Sequence, residues 1–245
     1  METLLIIDPQ NDFVDPKGSL YIPGAEKGIE EICKFIKEKN PSHIIISQDT
    51  HQAVHIGHAM WWKPMPEEFT TITLQNIKDG TYSPRFFSTQ RDVAKYINAL
   101  PGKKHNIWPD HCLEGSWGWC FPDSLIQSLN DWSFERHGKK YEIVQKGMNS
   151  NREMYSVFSY ADSDPSILKH NTLLNRLKKS DKIYISGFAK DVCVAYSVKD
   201  ILESGIKDFN NKLIFLDSCM TALDNSADIL SVYKDCETLL GAKWE

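Results

Sequence analysis

Five short apolar runs limit what this chain can fold into more than any other feature of it. They lie at residues 4–7 (LLII), 44–47 (IIIS), 141–145 (YEIVQ), 182–186 (KIYIS) and 212–216 (KLIFL). Each is too short for a buried helix, and most are continuous rather than alternating, which is the pattern of strands covered on both faces. Between them, apolar residues recur at helical spacing. Ile29, Ile32, Cys33 and Ile36 mark a helix over 24–39; Val194, Val198, Ile201 and Leu202 mark another from about residue 191 that stops at Gly205. Further helices are expected at 91–100, 122–130 (with Pro122 in its first turn), 167–179 and 227–240, and polar loops at 9–23 and 148–166. Strand and helix alternate, so the expected fold is α/β: a mainly parallel β-sheet flanked by helices on both faces, in three layers.

Residues 59–107 break that rhythm with Trp61, Trp62 and several prolines. They read as an insertion lying over or beside the core of a single domain spanning 1–245, a length that can bury a substantial core. The net charge of −5 and the scattered lysine pairs at 103–104, 139–140 and 178–179 argue against nucleic acid or an anionic membrane as partner. The first apolar run is interrupted by Asp8 and is far too short for a signal peptide, and no run approaches a membrane span. Six dispersed cysteines (33, 112, 120, 193, 219, 236) without a secretion signal are expected to be reduced, in a cytoplasmic protein.

Parallel α/β sheets bind ligands outside the carboxyl ends of their strands. Asp8, Asp49, His51, Lys146 and Cys193 all fall at or just past such ends. Taken singly, each has a plain structural reading: a buried cysteine, a turn-capping aspartate, a solvated lysine. Their convergence on one rim favours chemistry instead. Cys193 follows a strand that stops at Gly187 and opens a helix, where free N–H groups and the helix dipole favour a thiolate and can hold an oxyanion. A carboxylate such as Asp8 can take the thiol proton and pass it to a departing nitrogen, and the Lys146 ammonium favours both charged forms. Asp49, His51 and His111, with His55 and His58 close in sequence, suit Zn²⁺, Fe²⁺ or Mn²⁺ and leave room for water or a substrate atom. His43, His105, His137, His170 and, for the most part, His58 read as surface or packed residues. A zinc site on Cys112 and Cys120 lacks a second closely spaced pair.

The motifs DPQNDF (8–13), DTHQAVH (49–55), WPDHC (108–112) with GSWG (115–118), QKG (145–147) and GFAKDVCV (187–194) together resemble the isochorismatase-like cysteine hydrolases. WPDHC after the D-x-H motif is similar to the nicotinamidase and pyrazinamidase branch. The resemblance runs from residue 4 to about 220, apart from the insertion. It implies hydrolysis of nicotinamide, and of pyrazinamide as an analogue, to the acid and ammonia through a cysteine thioester, in NAD salvage. By the same resemblance Asp8 is the base, Lys146 the cationic partner and Cys193 the nucleophile. The N–H groups of Ala189 and Cys193 form the oxyanion hole, beside a cis peptide between Phe188 and Ala189. Phe13 and Trp108 sandwich the ring. Asp49, His51 and His111 hold one divalent metal, zinc before iron or manganese, on the pyridine nitrogen, and His55 is either a further ligand or a group just behind it. Three departures stand out: Lys190 where relatives often carry Thr, Thr50 where an aromatic is common, and the long insertion. Its tryptophans are expected to lid the pocket or to pack at a subunit interface of a homo-oligomer. Other amidases and carbamoyl hydrolases of the superfamily need no metal, isochorismate hydrolysis makes the cysteine superfluous, and a silent scaffold needs none of the three polar residues.

Overall fold

The computed structural model describes residues 1–86, 88–162, 172–224 and 228–245. In chain order its elements are β1 (Glu2–Ile7), a single turn α1 (Asn11–Val14), α2 (Ala25–Lys39), β2 (His43–Asp49), β3 (Trp62–Lys63), β4 (Thr71–Thr73), α3 (Leu74–Lys78), β5 (Ser83–Pro84), α4 (Gln90–Ala99), β6 (Lys104–Asn106), α5 (Asp123–Glu135), β7 (Glu142–Lys146), α6 (Thr172–Leu177), β8 (Lys182–Phe188), α7 (Ala195–Glu203), β9 (Leu213–Thr221), α8 (Ser231–Leu240) and β10 (Lys243–Trp244). All five apolar runs lie in one six-stranded sheet, ordered β10-β9-β8-β1-β2-β7, in which every neighbouring pair is parallel.

The side chains of β1 alternate between two cores, as the period of a strand requires. Leu4 and Ile6 meet Ile29, Ile32 and Ile36 of α2 and Leu125 and Leu129 of α5. Leu5 and Ile7 face the opposite core with Leu174 of α6, Val198 and Ile201 of α7, and Val232 of α8. Each such side chain stabilises the fold by about 1.5–3 kcal/mol when fully buried. Helices therefore cover both faces of the sheet.

The strands run further than their apolar runs, because backbone pairing continues into polar ends. β2 extends to Asp49, which sits opposite Lys146 of β7. β8 does not stop at Gly187 but passes through it to Phe188. Gly187 (φ 119°) lies so close to β1 that a Cβ there would be 2.0 Å from the Ile7 carbonyl oxygen. β9 is longer than expected and shifts register between Ile185 and Gly187 of its partner. β10, only two residues long, carries no periodic signal. The 9–23 loop holds the turn α1, and α5 outruns 122–130 with Trp132 buried in its last part, Pro122 sitting just before its first turn. Of the helix expected at 167–179, Thr172–Leu177 is described, and 163–171 lie outside the described residues; so does residue 227 at the start of the closing helix. All six cysteines are free thiols. Among the described residues no helix is long and apolar enough to cross a membrane.

Residues 59–107 form two antiparallel ribbons, β3–β5 and β4–β6, together with α3 and α4. Thr73 and Thr89 open these helices as reciprocal capping boxes. The segment has its own core of Trp61, Trp62, Ile72, Val93, Tyr96 and Ile97, among others. Trp61 and Trp62 are 1% and 0% exposed, so they are neither a lid nor a surface for a partner, contrary to expectation. Burial wins because each indole N–H finds an acceptor inside: Asn151 Oδ1 for Trp61 and the Ile56 carbonyl for Trp62.

Candidate active site

Asp8, Lys146 and Cys193 meet beyond the carboxyl ends of β1, β7 and β8. The Lys146 ammonium lies 3.0 Å from Asp8 Oδ2, 3.1 Å from Asp49 Oδ1 and 3.6 Å from Cys193 Sγ, and donates to the Met154 carbonyl at 2.9 Å. It is 2% exposed, and burial alone would discharge it. The two aspartates outweigh that and raise its pKa well above the ordinary lysine value. Asp8 adopts a left-handed φ of 47° and is locked by Ser47, whose hydroxyl donates to Asp8 Oδ1 at 2.5 Å and accepts the Asp8 N–H at 3.0 Å. Burial raises the Asp8 carboxyl while Lys146 opposes the rise.

The thiol departs from expectation. Cys193 sits in a wide π-type turn, Lys190–Val194, ahead of α7, not in the first turn of the α-helix. Burial pushes its pKa well above the ordinary value; Lys146 lowers it, and the nearby carboxylates add to the rise. A resting thiol at this position keeps its proton, so attack needs a base, and Asp8 shares the Lys146 ammonium with the sulfur. The widened turn also shapes the backbone around the sulfur. The Ala189 carbonyl accepts from the N–H groups of Val192 and Val194 and passes over that of Cys193. The peptide between Phe188 and Ala189 is cis.

Asp49, His51 and His111 form the second cluster. Their ligand atoms lie within 4.8 Å of one another, and all three residues are buried. Gln10 pins the Asp49 backbone from both sides, donating to its carbonyl and accepting its N–H, each at 2.7 Å. His51 Nδ1 donates to the Gly147 carbonyl at 3.0 Å and His111 Nδ1 to that of Pro109 at 2.8 Å. Both Nε2 atoms then face one oxygen, Asp49 Oδ2, at 3.0 and 3.5 Å. One carboxylate and two imidazoles in this arrangement are a donor set that fits a divalent metal ion. Burial works against the Asp49 charge, yet His51 and Lys146 pull its carboxyl well below the usual range. Gly147 makes the close approach feasible: at φ 76°, a Cβ would fall 2.6 Å from both Asp49 Oδ1 and His51 Cε1.

His55 does not join that set. It groups with His51 and His58, its ring centroid 4.1 Å from that of His51, and its Nδ1 accepts the Gly57 N–H at 3.1 Å. His58, set aside as a packed residue on sequence grounds, has its Nε2 3.4 Å from His111 Nδ1 and is fully buried. Burial keeps both neutral, His55 well below its ordinary pKa and His58 lowered to about 2. His105 is packed in the insertion and bonded to the Ile56 carbonyl. His170 lies outside the described residues. Among the described residues the metal-ligating clusters include neither Cys112 nor Cys120.

A pocket opens beside both clusters, lined by Cys193 of the first and by Asp49 and His111 of the second. Phe13, Trp108 and Tyr155 are its aromatic lining, together with Ala189, Cys193, Asp49, His111 and Glu153. The Trp108 indole N–H donates to Tyr155 Oη at 3.3 Å, and the Phe13 ring centroid lies 5.5 Å from that of His111. Neither unusual residue reaches the pocket. Lys190 pairs with Asp217 at 2.6 Å over the Trp244 ring, and Thr50 accepts the Trp119 indole N–H at 2.9 Å. Sequence reasoning missed Gln10, Ser47, Tyr155 and Glu153. The first two belong to runs already singled out, but their partners lie 39 residues away and only folding reveals them.

No family model matches the chain. It is 29% identical over 215 residues to a nicotinamidase from Saccharomyces cerevisiae, covering 84% of each chain. Among solved structures, a yeast nicotinamidase superposes with a TM-score of 0.67 at 26% identity, covering 97% of this chain and 96% of the other. An Acinetobacter baumanii nicotinamidase pyrazinamidase shares the fold, with a TM-score of 0.69 at 22% identity over 99% and 94% of the two chains.

Proposed function

We infer that this chain, which belongs to the nicotinamidase and pyrazinamidase family of isochorismatase-like hydrolases, is itself a nicotinamidase. It cleaves the carboxamide of nicotinamide to nicotinate and ammonia. The observation that carries the reading is a single buried ammonium, Lys146, in contact with the base, the nucleophilic sulfur and a metal-ligating carboxylate at once.

The pyridine ring lies between Phe13 and Trp108 with its carboxamide carbon beside Cys193 Sγ. Asp8 takes the thiol proton as sulfur attacks that carbon. The carbonyl oxygen becomes an oxyanion, held by the N–H groups of Ala189 and Cys193. Collapse of the tetrahedral species expels the nitrogen, which takes the proton from Asp8 and leaves as ammonia. A thioester remains. Asp8 then deprotonates a water that attacks it, the C–S bond breaks, and the sulfur recovers its proton as nicotinate departs. Lys146 stabilises the Asp8 carboxylate and the thiolate in turn. Asp49, His51 and His111 would hold a divalent ion, with zinc the best fit and iron or manganese admissible, and the ion would supply a Lewis-acid contact for the pyridine nitrogen. Pyrazinamide presents the same carboxamide and ring nitrogen and is expected to be a second substrate.

The test is ammonia release from nicotinamide by the purified protein, before and after chelation and metal add-back. Cys193→Ala is expected to lose at least about 10⁴-fold in turnover while keeping its metal content, the scale seen when a catalytic nucleophile is deleted. Undiminished turnover in that variant would remove the assignment.

A further inference from the structure

One buried carboxylate in this pocket takes part in none of the proton transfers. Glu153 is 3% exposed and lines the same pocket as Asp49, His111 and Cys193. Its Oε1 accepts the Met154 N–H at 2.9 Å, but Oε2 is buried without a hydrogen-bond partner. A buried acceptor left bare costs about 1–3 kcal/mol, more when charged, so its retention calls for a reason.

The surrounding chain is shaped to keep it there. The Glu153 N–H donates to Tyr96 Oη at 3.2 Å, and its carbonyl accepts the Ala161 N–H at 2.8 Å. Tyr96 belongs to α4, so the insertion itself holds this residue in place. Gly57 leaves the space: a Cβ there would lie 2.4 Å from Glu153 Oε2 and 3.2 Å from His55 Nδ1. The bare oxygen is thus on the His55 side of the pocket.

We propose that Glu153 is an outer carboxylate of the metal centre: its free oxygen accepts hydrogens from water bound to a divalent ion held by Asp49, His51 and His111. Glu153 is a positioning residue, not a catalytic one. The inference rests on reading Asp49, His51 and His111 as the ion's ligands.

The test is metal affinity, not turnover. Chelator-stripped wild type, Glu153→Gln and Glu153→Asp are titrated with Zn²⁺ against a chromophoric competitor, and the stripped proteins are melted. Glu153→Gln is expected to bind about 10–100-fold more weakly, and Glu153→Asp, which keeps the charge, within about threefold of wild type. Metal-free Glu153→Gln is expected to melt no lower than metal-free wild type, because Oε2 has no hydrogen bond to lose; a purely structural role would lower that melting point. Binding by Glu153→Gln within about twofold of wild type, or an equal loss in Glu153→Asp, would overturn the inference while leaving the ligand assignment standing. A wild type that binds no divalent ion would sink the ligand assignment and this inference together.

Discussion

Replacing Lys146 with methionine, close to it in length but uncharged, tests whether the buried ion cluster is balanced as its geometry indicates. Lys146 reaches Asp8 Oδ2 at 3.0 Å and Asp49 Oδ1 at 3.1 Å, and neither oxygen has a hydrogen bond from any other group. Removing one partner of a buried ion pair typically costs 3–5 kcal/mol, because it strands the other charge. The folded chain has one escape, which is to protonate a stranded carboxylate. Holding a carboxyl protonated at pH 7, about three pH units above its ordinary pKa, costs about 4 kcal/mol. That figure caps the penalty for one carboxylate and agrees with the first. The cap falls by about 1.4 kcal/mol for each pH unit removed. In the variant the folded-state carboxyl pKa is raised, so between pH 4 and 7 the folded form holds a proton that the unfolded form releases, and stability rises as pH falls. Chelator-treated Lys146→Met is therefore expected to be about 4 kcal/mol less stable than chelator-treated wild type at pH 7, and about 2 kcal/mol less stable near pH 5.5, by equilibrium urea unfolding. A penalty under about 1 kcal/mol at pH 7, or an equal penalty at both pH values, would refute the charge balance drawn here.

Two further outcomes follow from the same geometry. Because burial raises the Asp8 carboxyl and Asp8 must start ionised to take the thiol proton, the acid limb of the kcat/KM profile for nicotinamide is expected above the ordinary carboxylate value of about 4; a limb at or below that value would separate Asp8 from the base role. Gly147→Ala forces a side chain into a φ of 76° and against Asp49 and His51, so it is expected to cost about 1–3 kcal/mol in urea unfolding and to weaken divalent binding in titration; unchanged values for both would show that the Gly147 turn does not shape the site.

Much of the sheet and most of the rim were legible because polar residues follow directly on apolar runs. A buried strand that ends in Asp8, Asp49 or Lys146 announces where its chemistry lies, and the strand order places those ends together. What stayed hidden is non-local. The position of Cys193 ahead of a helix argues for a thiolate, but burial, which no local pattern reports, outweighs both that position and Lys146. His58 looks like any packed histidine until His111 arrives from 53 residues further along the chain.

The insertion shows the same limit most sharply. Its tryptophans suggest a lid only while their surroundings are unknown; Ile77 of α3 and Val93, Tyr96 and Ile97 of α4 join them in a core of the insertion's own. Ile107 exchanges backbone bonds with the segment at both of its polar groups, donating to Thr70 at 2.9 Å and accepting from Phe69 at 2.6 Å, and so sets the start of the Trp108 loop. Tyr96 holds Glu153 through the backbone N–H, and Trp61 and Trp62 lie within a few residues of His58. The stretch that departs most from the strand–helix rhythm thus anchors Glu153 and the start of the Trp108 loop, two parts of the pocket lining. Sequence reasoning placed Asp8, Asp49, His51, Lys146 and Cys193 on one rim and left this bracing unread, because a strand end is a local signal and a scaffold for a loop is not.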